Sequence, residues 1–567
     1  MQTTISRKIT DLTQNITGWR KALLTIFAGA VVTLTLPPFD FLPAGFIGFP
    51  LLIWLIDSDK TPEPRTGYKR LLPAFTTGWL FGFGYFVAGL WWIGMALLVD
   101  AQAFAWALPL AVLGLPAFLA FFFAFAIAIA RIFWGAGLVR IFVLAICLGI
   151  TEWLRAFVLT GFPWNSLGYT LMPSPLWMQS VTITGLYGMN SLAVLIFAMP
   201  ALLFGSAEQR YGWRSGIAIA IMLLSAQVGY GMWRLNNAPA LDAEFASDAP
   251  VIRLVQASIA QDAKWDDQLR RVIFDKHLEL STRAPLANNP SSDNSVPVKP
   301  DVIIWPETSV PYVLPQADQA IEAMRQALQP NQTILAGAVR SNQPTADAQG
   351  NFQDPLYFNS IFAIDSPLNN SEKNSSRTAA ASPLTADKVH LVPFGEYLPL
   401  EGLLRSFGMQ EVVQMPGGFT AAPQRRSLTV NPKLTLLPLI CYEVIFPSEL
   451  GYEGAPANAI INITNDAWYG NTPGPYQHFR QAQLRAVEQG LPLLRAANNG
   501  VSAIVDPYGR ITQQLSLNEV GFIDGRLPQQ TTTFWGKPAG EKQFFIILLI
   551  MAALSWGFKA MRTERFG

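Results

Sequence analysis

Cys441 is the residue of this chain best suited to covalent chemistry. It follows the apolar run 434–440, which predicts a buried strand, and leads directly into Tyr442 and Glu443. The other cysteine, Cys147, lies inside a long apolar run, where cysteine usually packs as a small buried side chain. A cysteine thiolate at a strand end can attack an electrophilic carbon. Cys441 is therefore our candidate nucleophile.

Two charged residues lie at the ends of other hydrophobic runs and could serve that nucleophile. Glu307 follows the run 302–305, and Lys388 precedes the run 389–393. A carboxylate can accept the thiol proton, and an ammonium favours a thiolate and stabilises a tetrahedral oxyanion. The backbone N–H that follows Cys441 is a second candidate oxyanion donor. Each residue alone could be structural, since polar residues mostly lie on solvated surfaces, but together they indicate nucleophilic catalysis.

The more polar segment 234–542, which contains these residues, has the sequence pattern of an α/β domain. Its strands alternate with helical patterns, which indicates layered sheets and helices, and a four-layer αββα sandwich fits that alternation. The stretch Ser366–Asp387, rich in Ser, Asn and Ala, predicts a surface insertion. The predicted strands are 251–256, 302–305, 333–339, 356–364, 434–440, 459–464, 493–497 and 501–505, and the predicted helices are 266–283, 316–328 and 475–490.

The rest of the chain has the composition of a membrane protein. Half of its residues, 51%, are hydrophobic and only 14% are charged. A spanning helix needs about 20 mostly apolar residues. We predict eight spans, at about 21–36, 43–57, 71–98, 104–130, 133–155, 177–205, 214–233 and 543–560.

The positions of Lys and Arg orient these spans. The loops near 37–43 and 99–103 contain neither residue, whereas basic clusters lie in the alternate loops and at both ends of the chain. Basic loops stay in the cytoplasm. We therefore predict cytoplasmic termini in a bacterial inner membrane, with a membrane domain at 1–233, a periplasmic catalytic domain at 234–542, and an eighth helix and tail at 543–567.

The loop 161–169 also falls on the outer side of this predicted topology. It contains Trp164 and Tyr169, residues typical of the interfacial belt of a membrane. We predict that the loop anchors the protein at the membrane surface. The alternative is a lipid-entry surface beneath the catalytic domain.

Specific strings in the sequence resemble the apolipoprotein N-acyltransferases, a membrane-embedded branch of the nitrilase, or carbon–nitrogen hydrolase, superfamily. The resemblance covers almost the whole chain. The strings are Leu254-Val255-Gln256, Lys264-Trp265-Asp266, Trp305-Pro306-Glu307-Thr308, Lys388 to Pro399, Ile440-Cys441-Tyr442-Glu443, Asn465 to Gly470, and Arg495 to Gly500. The lysine and cysteine strings together are highly specific.

The resemblance implies a ping-pong acyl transfer at the membrane. A cysteine would take an acyl chain from a phospholipid, with phosphatidylethanolamine as the expected donor. The resulting thioester would acylate the α-amino group of a diacylglyceryl-modified apolipoprotein. Residue by residue, the resemblance implies a catalytic triad of Glu307, Lys388 and Cys441. It implies supporting active-site roles for Glu396, Tyr442 and Glu443, and it implies that Trp265 lies near the substrate entrance.

Two alternatives remain open from the sequence. A membrane-tethered amidase would use water in place of the lipoprotein amine, and a transporter or scaffold would carry a degenerate domain. The spans hold few charges that could line a transport pathway, which disfavours the transporter or scaffold. The net charge of +1 gives no support to nucleic-acid binding, and the three histidines lack metal-ligand spacing, so we expect no metal or cofactor.

Overall fold

The computed structural model describes residues 16–59, 67–241, 248–264, 266–284, 299–342, 355–367, 384–406, 408–413 and 418–566. The chain forms two compact units. The first combines Met1–Gly94, Trp106–Ala238 and Thr533–Gly567, and the second combines Met95–Ala105 and Pro239–Thr532. The domain boundaries that we predicted at 233/234 and 542/543 stay predictions.

The first unit is helical, and its helices are rich in Leu, Ile, Phe and Ala. Five helices in the described part of the chain are long and apolar enough to cross a membrane: Leu72–Leu98, Ala101–Ile132, Val181–Leu203, Trp213–Asn236 and Glu541–Thr563. A further apolar helix, Leu42–Asp57, is shorter. The main helices are α1 (Gly18–Val32), α2 (Gly45–Asp57), α3 (Leu72–Leu90), α4 (Leu115–Ile132), α5 (Leu138–Arg155), α6 (Val181–Ala198), α7 (Trp213–Asn236) and, after the second unit, α12 (Glu541–Phe566).

The helices thus support a membrane protein, whereas the number of eight spans stays a prediction. Helix α1 has 15 residues, fewer than a typical span requires. Helix α5 has 18 residues, and three of them are charged: Arg140, Glu152 and Arg155. Charged side chains are rare within spanning helices unless they are paired inside the bundle.

Arg155 and Glu152 form a buried ion pair that holds the loop 161–169. Arg155 Nη2 donates to Glu152 Oε2 at 2.8 Å, and the guanidinium also donates to the carbonyls of Phe162 and Trp164. These bonds draw the loop into the helical unit, where Trp164 is 1% exposed and Tyr169 is 2% exposed. Our prediction that these two aromatic rings lie in the interfacial belt was wrong, because they pack inside the protein.

In the part of the second unit that the structure describes, thirteen strands form two sheets. The strands are β1 (Val251–Gln256), β2 (Val302–Ile304), β3 (Val310–Leu314), β4 (Thr333–Ser341), β5 (Tyr357–Asp365), β6 (Leu384–Asp387), β7 (Leu428–Asn431), β8 (Leu434–Ile440), β9 (Ala459–Thr464), β10 (Leu493–Ala497), β11 (Ser502–Val505), β12 (Ile511–Leu515) and β13 (Gly521–Arg526). The first sheet has the order β13-β1-β2-β4-β5-β6, with β3 paired to β4, and the second has the order β12-β11-β10-β9-β8-β7. The helices are α8 (Arg270–Thr282), α9 (Asp318–Ala327), α10 (Glu401–Ser406) and α11 (Pro473–Gln489).

Alternation along the strands sorts their side chains into layers. Ile252 and Leu254 of β1 point into a core that they share with Ile461 of the second sheet, so the two sheets pack face to face. Val255, on the opposite face of β1, packs with Phe274 of α8 in a second core. Helix α11 packs on β10 of the second sheet. The layers therefore run helix, sheet, sheet, helix, as in an αββα sandwich.

The strands that the sequence predicted best are the buried parallel ones. Strands β8, β9 and β10 begin and end at the predicted residues. Strands β3, β7, β12 and β13 were missed. The predicted C-terminal boundary of the insertion Ser366–Asp387 was wrong. Residues 384–387 form β6, in which Asp387 pairs with Ser360 of β5. Residues 368–383 lie outside the described part of the chain.

Candidate active site

Strand ends bring Glu307, Lys388 and Cys441 to one buried place. Glu307 follows β2, Lys388 follows β6, and Cys441 follows β8. Their exposed fractions are 6%, 1% and 6%. Lys388 Nζ lies 3.8 Å from Glu307 Oε1, and both charges are close enough to Cys441 to shift the pKa of its thiol.

The backbone of Cys441 makes a sharp turn from strand to helix. The residue has φ +51°, in the left-handed region, and it begins a short 3₁₀ helix, Cys441–Ile445. A non-glycine residue in this region costs about 1–3 kcal/mol, which the surrounding structure must offset. Such outliers cluster at active sites.

Burial and the charge of Glu307 raise the pKa of the Cys441 thiol, while Lys388 and a hydrogen bond from Thr464 lower it. Burial is the largest of these effects, so the thiol stays protonated at rest. The proton has to leave before the sulfur can attack, because the thiolate is the nucleophile. Glu307 is close enough to act on this thiol electrostatically, and it stays our predicted acceptor of the proton.

Lys388 is held by carboxylates on two sides. Its Nζ lies 2.9 Å from Glu396 Oε2 and 3.0 Å from Glu396 Oε1, in addition to the contact with Glu307. Burial would lower the pKa of Lys388, but Glu396, Glu307 and Cys441 together raise it above its ordinary value. Asn359 of β5 donates from Nδ2 to Glu307 Oε1 at 2.7 Å and to Glu396 Oε1 at 3.0 Å. The ammonium is thus charged and fixed beside Cys441.

Glu443 ties the lysine segment to the cysteine turn. Its Oε1 accepts from the backbone N–H groups of Val389 and His390 at 2.9 and 3.1 Å and from Arg425 at 2.7 Å, while its Oε2 accepts from the N–H of Ile440 at 2.6 Å. One carboxylate therefore fixes the residues on both sides of the site.

Tyr442 is buried beside the same segment. Its ring centroid lies 5.7 Å from that of His390 and 5.1 Å from that of Phe446. The structure places Tyr442 and Glu443 as packing and anchoring neighbours of Cys441. Trp265, the residue expected near the substrate entrance, lies outside the described part of the chain.

A buried cluster of charged and polar side chains contacts the backbone of Cys441. His478 of α11 places Nε2 3.2 Å from the carbonyl oxygen of Cys441 and Nδ1 2.8 Å from Asp466 Oδ1, and Arg495 Nη2 lies 2.7 Å from Asp466 Oδ2. Burial would raise the pKa of Asp466, but Arg495 and His478 lower it to about 2. Through His478, the cluster contacts the left-handed turn at the carbonyl oxygen of Cys441. Within the described ranges, no group of three or more His, Cys, Asp or Glu residues could hold a metal ion.

Comparisons with known proteins show the family of the chain. The family model described as carbon–nitrogen hydrolase matches residues 252–537, and the one described as the apolipoprotein N-acyltransferase N-terminal domain matches residues 28–199. A relative from Brucella suis biovar 1 (strain 1330), named apolipoprotein N-acyltransferase, is 56% identical over 97% of this chain and 98% of its own. The chain belongs to the apolipoprotein N-acyltransferase family.

Other members of the apolipoprotein N-acyltransferase family match at similar lengths. A relative of that name from Rhizobium leguminosarum bv. trifolii (strain WSM2304) is 51% identical over 91% of this chain and 92% of its own. One from Agrobacterium fabrum (strain C58 / ATCC 33970) is 47% identical over 94% and 95%. The family that the motifs predicted is therefore confirmed.

The sequence analysis missed three residues that the structure places at the site: Lys264, Asn359 and His478. Lys264 belongs to the string Lys264-Trp265-Asp266, but no role was predicted for it. Asn359 is an amide inside a strand that is otherwise mostly apolar. His478 is a buried histidine on a helix that begins soon after the Asn465–Gly470 string. Buried polar groups are normally hydrogen-bonded, and that rule is the signal that could have found them.

Gly337→Ala is expected to disturb Glu307 without touching its side chain. A Cβ on Gly337 of β4 would lie 2.4 Å from the carbonyl oxygen of Pro306 and 2.7 Å from the Cα of Glu307. Overpacking of this kind costs about 1–3 kcal/mol. Thermal unfolding of the detergent-solubilised protein should show a lower transition temperature, with lower activity at permissive temperature. The matched control is Gly402→Ala, since no atom lies within 4 Å of that Cβ; equal effects of both substitutions would refute the tight contact.

Proposed function

We propose that the protein transfers an acyl chain from a membrane phospholipid, through a thioester on Cys441, to the α-amino group of the N-terminal diacylglyceryl-cysteine of an apolipoprotein. The observation that carries this proposal is the buried cysteine on its left-handed turn, with Glu307 and Lys388 close enough to shift the pKa of its thiol. The family to which the chain belongs supports the choice of substrates.

In the first half-reaction, Glu307 takes the thiol proton and the sulfur of Cys441 attacks the ester carbonyl of the phospholipid. The new C–S bond produces a tetrahedral oxyanion. The Lys388 ammonium and the backbone N–H of Tyr442 are the proposed donors to it. The oxyanion collapses, the C–O bond to glycerol breaks, and Glu307 returns the proton to the leaving alkoxide. The products are a lysophospholipid and an acyl-enzyme.

In the second half-reaction, the α-amino group of the lipoprotein attacks the thioester carbonyl. Glu307 accepts a proton from the attacking amine, and the same donors hold the oxyanion. The C–S bond then breaks, the amide forms, and the proton returns to the sulfur. A thioester is reactive enough to acylate an amine without a further energy source.

A transfer assay separates this proposal from hydrolysis. The purified protein is incubated with a phospholipid that carries one labelled acyl chain and with a diacylglyceryl-cysteine peptide. Acyl transfer yields labelled N-acylpeptide together with lysophospholipid. Labelled free fatty acid, with no acylated peptide, would instead identify a membrane-tethered hydrolase. Repeating the assay with different headgroups tests phosphatidylethanolamine as the proposed preferred donor.

We further propose that the chain crosses the inner membrane eight times, with both termini in the cytoplasm and the block 234–542 in the periplasm. The distribution of Lys and Arg supports this topology. Alkaline phosphatase fused after residue 300 should be active, because that enzyme needs the oxidising periplasm to form its disulfides. A fusion to the C-terminal tail should be inactive. An inactive fusion at 300 would contradict the topology.

A further inference from the structure

Lys264 is a second buried lysine at this site, and the chemistry above makes no use of it. It lies between β1 and α8, is 3% exposed, and donates from Nζ to the backbone carbonyl oxygen of Glu307 at 2.9 Å. Burial lowers the pKa of Lys264 to about 8, while Glu307 and Cys441 act in the opposite direction. A group with that pKa is still mostly protonated at neutral pH.

The surroundings of Lys264 differ from those of Lys388. Lys388 lies against the carboxylates of Glu396 and Glu307, which compensate its charge. The hydrogen bond of Lys264 goes to a neutral carbonyl, and no carboxylate among the described residues forms an ion pair with it. A buried ammonium without a direct counter-ion is costly to keep. Cys441 is close enough to act electrostatically on this ammonium, so a thiolate there would supply a counter-charge.

We propose that Lys264 is a positioning residue for the thioester chemistry: its ammonium fixes the backbone of Glu307 and supplies a positive charge that favours the Cys441 thiolate. This inference rests on the proposed function in taking Cys441 as the nucleophile and Glu307 as its base. In this proposal both lysines favour the ionised sulfur, since Lys388 also lowers the pKa of the Cys441 thiol, and Lys388 is in addition the proposed oxyanion donor.

The titratable groups around Lys264 come from three parts of the second unit. Glu307 follows β2, Cys441 follows β8, and His277 lies on α8. Burial, together with the charges of Lys264 and Lys276, lowers the pKa of His277 to about 4, so the imidazole is neutral at working pH. A change in thiol ionisation on removing Lys264 is thus attributable to the lysine.

The test follows alkylation of Cys441 by iodoacetamide as a function of pH, in full-length protein that carries Cys147→Ser. That background leaves Cys441 as the single thiol. Intact-mass spectrometry measures the rate between about pH 6 and 10, a range around the usual thiol pKa. Lys264→Met should slow alkylation roughly tenfold at neutral pH and move the profile upward by about one pH unit, because a lost cation raises the pKa of the thiol. Lys264→Arg keeps the charge and should keep the profile.

Two further variants make the outcome decisive. Lys264→Gln keeps a donor for the Glu307 carbonyl but removes the charge, so it should also move the profile upward by about one pH unit. It therefore tests the loss of charge even if Lys264→Met fails to fold. The matched control, Lys433→Met, removes an exposed lysine and should change nothing. Coincident profiles for wild type and Lys264→Gln would overturn the inference. Alkylation needs no lipid, so a wild type that forms no acyl-enzyme would refute the proposed function while leaving the Lys264 result readable.

Discussion

Cys441→Ala should abolish N-acylation of a diacylglyceryl-cysteine peptide, with a loss of at least ~10⁴-fold, the size seen when a covalent nucleophile is removed. The variant has no atom to carry the acyl chain, and the site holds no second thiol among the described residues. The remaining groups, Glu307 and Lys388, could still polarise a bound ester but could not split the transfer into two steps. The measurement is the initial rate of labelled N-acylpeptide formation in detergent or vesicles.

The chain offers a matched control in its other cysteine. Cys147 is buried in helix α5 of the first unit, so Cys147→Ala removes the same chemical group away from the site. We expect that variant to retain activity within about twofold, since it deletes a single small buried side-chain atom, the sulfur. Activity of Cys441→Ala within tenfold of wild type would contradict a covalent mechanism on this residue.

Lys388→Met should reduce kcat/KM by about 10³-fold or more. Removing one oxyanion donor typically costs 10²–10³-fold in kcat. Here the same change also takes away the charge that favours the thiolate and leaves the carboxylates of Glu307 and Glu396 without their cation. Acyl-enzyme formation in a single turnover is the direct measurement, because it isolates the first chemical step.

Stability has to be measured on the same variant. Lys388 is 1% exposed between two buried carboxylates, and breaking a buried pair costs about 3–5 kcal/mol. Thermal unfolding therefore accompanies the kinetics. The control is Lys433→Met, whose lysine side chain is 54% exposed beside Asp248 and which we expect to behave as wild type. A Lys388→Met variant that forms acyl-enzyme at the wild-type rate would contradict the proposed role.

The sequence predicted the parts of the fold where local pattern and final environment agree. Strand β8 is apolar apart from Thr435, and it ends in the structure at Ile440, as predicted. Strand β12 reads Ile-Thr-Gln-Gln-Leu and is partly exposed, so it carries no apolar run that periodicity can detect. It forms because it pairs antiparallel with β11 across the turn 506–510, and not because of an apolar pattern of its own.

At the candidate site, too, the sequence identified the residues that have a local signal and missed those whose roles depend on distant partners. Cys441, Glu307 and Lys388 could be named because each ends or begins a hydrophobic run. Asn359 could not, because its role depends on reaching two carboxylates that are 52 and 37 residues away along the chain. Trp164 was misplaced for a related reason: composition suited a membrane interface, but hydrogen bonds from Arg155 to the loop draw it inside.

The proposed acyl-enzyme is tested by intact-mass spectrometry of the protein after incubation with a defined phospholipid, before and after a diacylglyceryl-cysteine peptide is added. A thioester on Cys441 predicts a mass increase of one acyl chain in wild type. The adduct should be removable by neutral hydroxylamine, absent in Cys441→Ala, and discharged onto the peptide amine. An adduct of that mass in Cys441→Ala, or peptide acylation in wild type with no hydroxylamine-sensitive adduct, would contradict a thioester on Cys441.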